Sequence, residues 1–543
     1  MEANGPIDNY ANPVIAAAAD SAPPFQFRKR ITLILTVILT IVMIAQFGKI
    51  IDNASPSLVD DPAIIRALGQ KNSPSLSDVW ADLKTIPEYQ EFLRNGSSSR
   101  FRPAYYPFRA AAIYLLGNDF RLWYLVTFVM YAATSAALFS MVMRSFGALS
   151  AGLFLILYLG HKAWSDLIPR LGPIEIQCMF FITILVWLLW NWIELGKRWS
   201  LALAVPLLFL VAMMKEPNSV YLIYLGGLLL VCGLLVGNRR MMSTALALFA
   251  AGSIVLAILF RWTGPTSRAG LVSLSGPLHD YVELAGRDST RWVVFVLFGV
   301  LLGGLFAEAA GYLKKTSWRE LLAMLAALLS VEVLRLVIFY ISYSTSPGTN
   351  PIETRYGYPF FLIQALIVAI VIGRLLVLLG PVSSSRATTI KGLAIACVLG
   401  LLLINHGLFA RQVFALTDVW VNFNSDTEST INDAAATLLR EHGKGNHPVL
   451  IASGPALDFE PHISLVQYLR RAMPSTIIYV DRSEPGTEAQ SLAMAEVGGT
   501  MVSPAEKREL MKSGCIDVHV DLKPYNNPDC MTLAIVMGRT ADN

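Results

Sequence analysis

The chain has 543 residues, 54% hydrophobic and only 15% charged, where a soluble chain would carry roughly a quarter charged. That deficit, with apolar runs recurring from residue 31 to residue 411, excludes an ordinary soluble enzyme and points to the membrane class. A formal net charge of +4 is too small to argue for a nucleic-acid partner, so the basic residues matter through where they sit.

Residues 1–27 are polar and Ala/Pro-rich and read as a disordered cytoplasmic leader. The first apolar run follows Arg28-Lys29-Arg30; at about twenty residues it fits a retained helix better than a cleaved signal segment. Spans are expected near 31–50, 121–143, 149–163, 178–196, 200–214, 219–237, 243–261, 291–313, 319–341, 358–380 and 390–411. The fold class is thus a polytopic α-helical membrane protein with about 11 transmembrane helices. This transmembrane domain covers 28–415 and has a long first outer loop, 51–120. Residues 104–116 are apolar but short for a crossing and are expected to form an interfacial or re-entrant helix.

Orientation follows from Lys and Arg in the short connections. Arg28-Lys29-Arg30, Arg144, Lys197-Arg198, Arg239-Arg240, Lys314-Lys315, and Arg386 with Lys391 fall in alternate connections, which assigns them to the cytoplasm. The N-terminus is then inside and the C-terminal region outside, in a bacterial inner (plasma) membrane protein of the cell envelope. The polar motifs all fall in the opposite connections.

From about residue 416 to 543 the composition becomes that of a small soluble α/β domain, periplasmic in this topology. Runs 447–454, 475–481, 515–521 and 531–538 read as buried strands, and 461–473 and 488–499 carry helical periodicity. Cys515 and Cys530 are the two outer-domain cysteines among five; they are a candidate disulfide or a reduced core pair.

Asp60-Asp61 open the long outer segment, where a carboxylate can act as general base toward a hydroxyl nucleophile or simply cap a helix beginning at Pro62. Arg100, Arg102 and Arg109 surround Pro103 and several aromatics, a group suited to bidentate phosphate binding or to snorkelling toward headgroups. Arg170 and Glu175 bracket a Gly-Pro turn, and Lys215-Glu216 end another span. Such ionisable groups are either functional or structural ion pairs. Glu332 and Arg335 lie three apart on one helix face, so they either pair or Arg335 faces a cavity. Arg355-Tyr356 precede a helix start, where a cation and the helix dipole suit an anionic headgroup; membrane anchoring is the competing reading. His161 and Asp166 are candidate supporting groups, and His406 reads as a packed histidine. No metal-ligand spacing, P-loop, nucleophile elbow or internal repeat is visible.

In this order, the Asp-Asp pair, RFRP (100–103) before Gly117-Asn118-Asp119, RLGPIE (170–175), KEPN (215–218) and RYGYP (355–359) resemble the GT-C superfamily of membrane glycosyltransferases. Protein O-mannosyltransferases and aminoarabinose transferases belong to it. The resemblance covers residues 31–380 and does not extend to the C-terminal domain. It implies an enzyme of the EC 2.4 class that takes a sugar from a polyprenyl-phosphate donor to a glycan, lipid or protein acceptor at the outer leaflet. It also implies Asp60 or Asp61 as base, with Asp60 favoured, and Arg102, Arg355, Lys215 and Arg335 as donor-phosphate ligands. Arg100, Arg170, Glu175, Glu216 and Tyr356 would shape the cavity. A divalent metal serves some members and not others. The rival readings are a flippase or transporter of lipid-linked sugars, with polar groups near the bilayer midplane, and a membrane-anchored assembly protein acting through residues 416–543.

Overall fold

The computed structural model describes residues 34–57 in part, 64, 75–83, 102–263, 281, 289–309, 318–343, 355–378, 385–442, 448–453, 459–473, 476–481, isolated positions to 495, 498–512, 516–522 and 533–538. Asp60, Asp61, Arg100, Cys515 and Cys530 lie outside the described residues, as does the side chain of Tyr356.

The described positions of 34–52 form helix α1. There follow α2 (Leu76–Leu83), α3 (Tyr105–Leu116), α4 (Phe120–Leu159), α5 (Trp164–Leu167), α6 (Glu175–Leu195), α7 (Arg198–Met214), α8 (Glu216–Val236) and α9 (Arg239–Thr263). Then come α10 (Ser289–Ala309), α11 (Trp318–Tyr343), a 3-10 turn (Arg355–Gly357), α12 (Phe360–Leu378) and the 58-residue α13 (Ser385–His442).

Each expected span falls on a helix. Among the described residues, Phe120–Leu159, Glu175–Leu195, Glu216–Val236, Arg239–Arg261 and Trp318–Phe339 are long and apolar enough to cross a membrane. Arg198–Met214, Val294–Phe306 and Phe360–Leu375 are shorter apolar helices. Large apolar side chains such as Leu115, Phe260 and Phe306 point outward, an arrangement that is favourable in lipid and costly in water. The expected spans 121–143 and 149–163 lie in α4, which breaks at Gly147 (φ 88°, ψ 178°), a conformation open essentially to glycine alone. The 12-residue α3, about 18 Å long at 1.5 Å per residue, is too short to cross, as its length in sequence suggests.

Helix-to-helix contacts fix which ends lie together. At one end, Arg240 Nη1 donates to the Ile193 carbonyl at 3.4 Å, Phe146 packs on Trp190, and Arg374 sits over the Phe146 ring. Tyr224 and Ser330 hydroxyls meet at 2.8 Å farther along α8, and Tyr221 reaches the Tyr358 carbonyl, also at 2.8 Å, nearer the other end. The two limbs of α4 on either side of Gly147, then α6 to α9, and α11 with α12, therefore alternate in direction. Arg144, Lys197-Arg198 and Arg239-Arg240 gather at one end, and the RLGPIE, KEPN and RYGYP motifs at the other.

Helix α8 and α9 approach closely because glycines allow it. A Cβ on Gly226 would meet the Ala245 carbonyl oxygen at 2.9 Å, and one on Gly252 would meet that of Ser219 at 2.8 Å.

The C-terminal unit is a five-stranded sheet in the order β3-β2-β1-β4-β5, built from β1 (Val449–Ser453), β2 (Ile478–Asp481), β3 (Gly499–Val502), β4 (Ile516–Leu522) and β5 (Leu533–Gly538). All pairings are parallel except β4 with β5. Val449, Leu450 and Ile451 are buried in succession, as a central parallel strand covered on both faces requires. Among the described residues it is accompanied by α14 (Phe459–Ala472) and α15 (Pro504–Lys512), with helical positions also at 491, 494 and 495. Strand β3 falls where the expected helix 488–499 ends; four residues beginning with glycine carry no alternation to betray it. The expected domain boundary at 415/416 lies within α13, which runs unbroken from the bundle to the sheet.

Candidate functional site

The site at the motif end is built from helix termini. Glu175 opens α6 and Glu216 opens α8, so each carboxylate sits at the partial positive end of its helix. Lys215, in extended conformation (φ −154°, ψ 139°), is the hinge between α7 and α8, and Pro217 takes the early α8 position where a missing N–H costs nothing. Asn218 closes the hinge: its Nδ2 donates to the Val211 carbonyl at 2.8 Å, satisfying an acceptor left over at the end of α7.

The two adjacent charges of KEPN reach in different directions. Lys215 Nζ pairs with Glu175 Oε1, while Arg102 Nε donates to both Glu216 oxygens at 3.0 Å. Burial works against the Arg102 charge, but the Glu216 carboxylate together with Tyr105 and Tyr106 more than offsets it, so the guanidinium holds its proton more tightly than usual. The Ala104 amide donates to the Met213 carbonyl at 3.3 Å, fastening the start of α3 beside the same hinge.

The RLGPIE loop is held residue by residue. Arg170 Nη1 lies 3.1 Å from Asp166 Oδ1, and its guanidinium lies 4.5 Å from the Trp420 ring centroid of α13. Arg109, buried in α3, donates to the Leu171 carbonyl at 3.1 Å, the Gly172 carbonyl at 2.8 Å and the Tyr105 hydroxyl at 2.8 Å. The other Asp166 oxygen accepts from the Arg355 amide at 3.1 Å, so one carboxylate ties RLGPIE to RYGYP. Arg335 pairs with Glu332 at 3.5 Å and lies over the Phe360 ring. Beneath this layer, Tyr131, Tyr158, Trp164, His161 and Phe361 form a continuous aromatic floor.

The structure therefore gathers Arg102, Arg170, Glu175, Lys215, Glu216 and Arg355 at one end of the bundle, with Arg335 near the same end of α11. Gly117-Asn118-Asp119 proves to be a turn and a cap: Gly117 has φ 55°, and the Asp119 carboxylate accepts from the Arg121 and Leu122 amides. Asp60 and Asp61 follow an anchored stretch, because Ser55 and Ser57 are buried and the Ser55 carbonyl lies 3.1 Å from the Tyr124 hydroxyl. Sequence reasoning gave Asp166 little weight and missed Trp420, Asn424 and Tyr468. Trp420 and Asn424, four apart on α13, share a face, which was the available signal. Among the described residues, no group of three or more His, Cys, Asp or Glu side chains is placed to hold a metal ion. Cys178 and Cys232 are free thiols.

No protein-family model matches the chain, and no curated protein matches it. Among solved structures it is similar to ArnT from Cupriavidus metallidurans, crystallised with undecaprenyl phosphate bound, at 11% identity and a TM-score of 0.43 over 90% of this chain and 93% of that one.

Proposed function

We propose that this chain is a membrane glycosyltransferase of the GT-C type, moving a sugar from a polyprenyl-phosphate donor to an acceptor hydroxyl at the outer face of the membrane. The observation that carries the reading is the meeting of Arg102, Arg170 and Lys215 with their carboxylate partners, and of the Arg355 amide with Asp166, from four distant parts of the chain at one end of an apolar bundle. A lipid-linked phosphate enters from the bilayer at that level, while a sugar acceptor arrives from water.

In the proposed reaction Asp60, or Asp61 beside it, takes the acceptor hydroxyl proton. The acceptor oxygen then bonds to the anomeric carbon as the bond from that carbon to the phosphate oxygen breaks, inverting the centre. The electron pair leaves with polyprenyl phosphate, and Arg102, Arg355, Lys215 and Arg335 stabilise the charge that develops there. Arg100, Arg170, Glu175, Glu216 and Tyr356 shape the cavity and hold those cations. The distribution of Lys and Arg in the short connections supports an orientation with this end outside a plasma membrane.

The test is to incubate the purified chain in nanodiscs with a panel of polyprenyl-phosphate sugars and follow release of polyprenyl phosphate. Release that disappears in Asp60→Ala with Asp61→Ala supports the assignment. Release that survives loss of both carboxylates removes them as base, and movement of intact donor between leaflets without cleavage favours the flippase instead.

A further inference from the structure

Residues beyond 416 are not merely appended to the bundle. The Tyr468 hydroxyl of α14 donates to the Pro56 carbonyl at 3.1 Å, one residue after Ser55, whose own carbonyl lies 3.1 Å from the Tyr124 hydroxyl of α4. That same Tyr124 hydroxyl is 2.9 Å from the Pro169 carbonyl, which also accepts from Asn424 Nδ2 of α13 at 3.0 Å. Tyr468 and Asn424 are 6% and 2% exposed, so these bonds are closed to water. Pro169 precedes Arg170, which lies over Trp420 of α13 and pairs with Asp166, which in turn accepts from the Arg355 amide. A continuous seam of contacts thus runs from the C-terminal domain through the outer segment 55–57 to two of the motif loops, RLGPIE and RYGYP.

We infer that the C-terminal domain registers the outer segment against the cation cluster, with Tyr468 and Asn424 as positioning residues for glycosyl transfer. The inference rests on the transferase reading above. Asp60 follows the buried Ser57 by three residues in sequence, a tether of at most about 11 Å at 3.8 Å per trans peptide. A short tether transmits the position of its anchor, and an error of about 1 Å at reacting groups lowers a rate by up to about 100-fold. The carbonyls of Ser55, Pro56 and Pro169 carry no chemistry of their own. Ordering the Pro56 carbonyl from α14 and the Pro169 carbonyl from α13 makes the C-terminal domain part of the site's scaffold.

Tyr468→Phe keeps the ring and removes the one hydroxyl, and Asn424→Ala removes the second tie. Each should lower kcat for transfer about tenfold while leaving the donor KM and the melting temperature unchanged, and amide hydrogen exchange over residues 50–66 should quicken. Unaltered kcat and unaltered exchange in Tyr468→Phe, with transfer still abolished in Asp60→Ala and Asp61→Ala, overturns the positioning role and leaves the transferase reading standing. A fall in melting temperature with kcat preserved per folded molecule also overturns it, by reducing Tyr468 to a packing role. Absence of transfer in the unaltered chain across the whole donor panel removes the reading beneath the inference and both fail together.

Discussion

Replacing Lys215 by Met isolates what the Lys215–Glu175 pair does. Glu175 is 4% exposed and Lys215 14%, so removing the amine leaves a carboxylate in a low-dielectric setting without its counter-charge. Breaking a buried pair from one side costs about 3–5 kcal/mol, whereas replacing both charges by neutral groups of similar volume is close to neutral. At a melting entropy of about 2.1 cal/mol/K per residue, the whole chain unfolding as one unit gives about 1.1 kcal/mol/K, so Lys215→Met should lower Tm by about 3–4 °C. Glu175→Gln should cost less, because the amide oxygen still accepts from Nζ. The double variant should recover most of the loss, with a coupling of about 2 kcal/mol. Thermal unfolding of the four proteins in one detergent, followed by tryptophan fluorescence, measures this. A double variant whose loss equals the sum of the two singles would refute the coupling. Activity in the same proteins separates roles: if Lys215 meets the donor phosphate, the double variant melts normally and transfers poorly.

Three further outcomes follow from the backbone and the caps. Gly252→Leu has no room for its Cβ against the Ser219 carbonyl, so α8 and α9 must part; yield of folded protein and Tm should both drop, and normal values for both would contradict the close approach. Gly147→Ala meets nothing within 4 Å yet must adopt φ 88°, so it should cost about 1–3 kcal/mol through backbone strain alone, measured as a Tm decrease without loss of yield. At α15, the Ser503 amide and hydroxyl donate to the Glu506 carboxylate and hold its pKa below the usual 4.5. A depressed folded value means the cap is intact above 4.5 and is lost as pH falls through the folded pKa; amide exchange at 503–507 should quicken there in the natural chain, and Glu506→Gln should abolish that pH step.

The parts of the fold that were legible are those with a physical signature along the chain. Apolar length announced the spans, and alternation of basic connections announced which ends share a side. Gly147 separated two expected helices at the point where the backbone turns. The identity of the ion pairs was not legible, because Lys215 finds Glu175 forty residues away and Arg102 finds Glu216 at a separation of 114. Charge alone cannot choose among several candidate partners at one membrane face. The contribution of α13 and α14 was hidden for another reason. Tyr468, Asn424 and Trp420 are uncharged and act through a ring face or a single hydrogen bond to a backbone carbonyl, and neither leaves a mark in composition.

The pairing at the motif end has a consequence for how an anion is received. Among the described residues, Arg102, Arg109, Arg170, Lys215, Arg335 and Arg355 stand with Asp166, Glu175, Glu216 and Glu332, so cations outnumber carboxylates at this end. Unpaired guanidinium groups near lipid are costly, and the carboxylates make their retention tolerable. A sugar linked to a lipid through one phosphate is a phosphodiester with a single negative charge. Cleavage turns it into a phosphomonoester approaching two negative charges near neutral pH. The second charge appears only as the bond to the anomeric carbon breaks, in front of cations already oriented by Glu175 and Glu216 at two helix termini. Under the proposed reaction those carboxylates would weaken the hold on the resting donor; they fix the direction of the donors on Arg102 and Lys215. Interaction strength would thereby be reserved for the transition state of the proposed transfer, where it raises kcat and does not merely tighten the ground state.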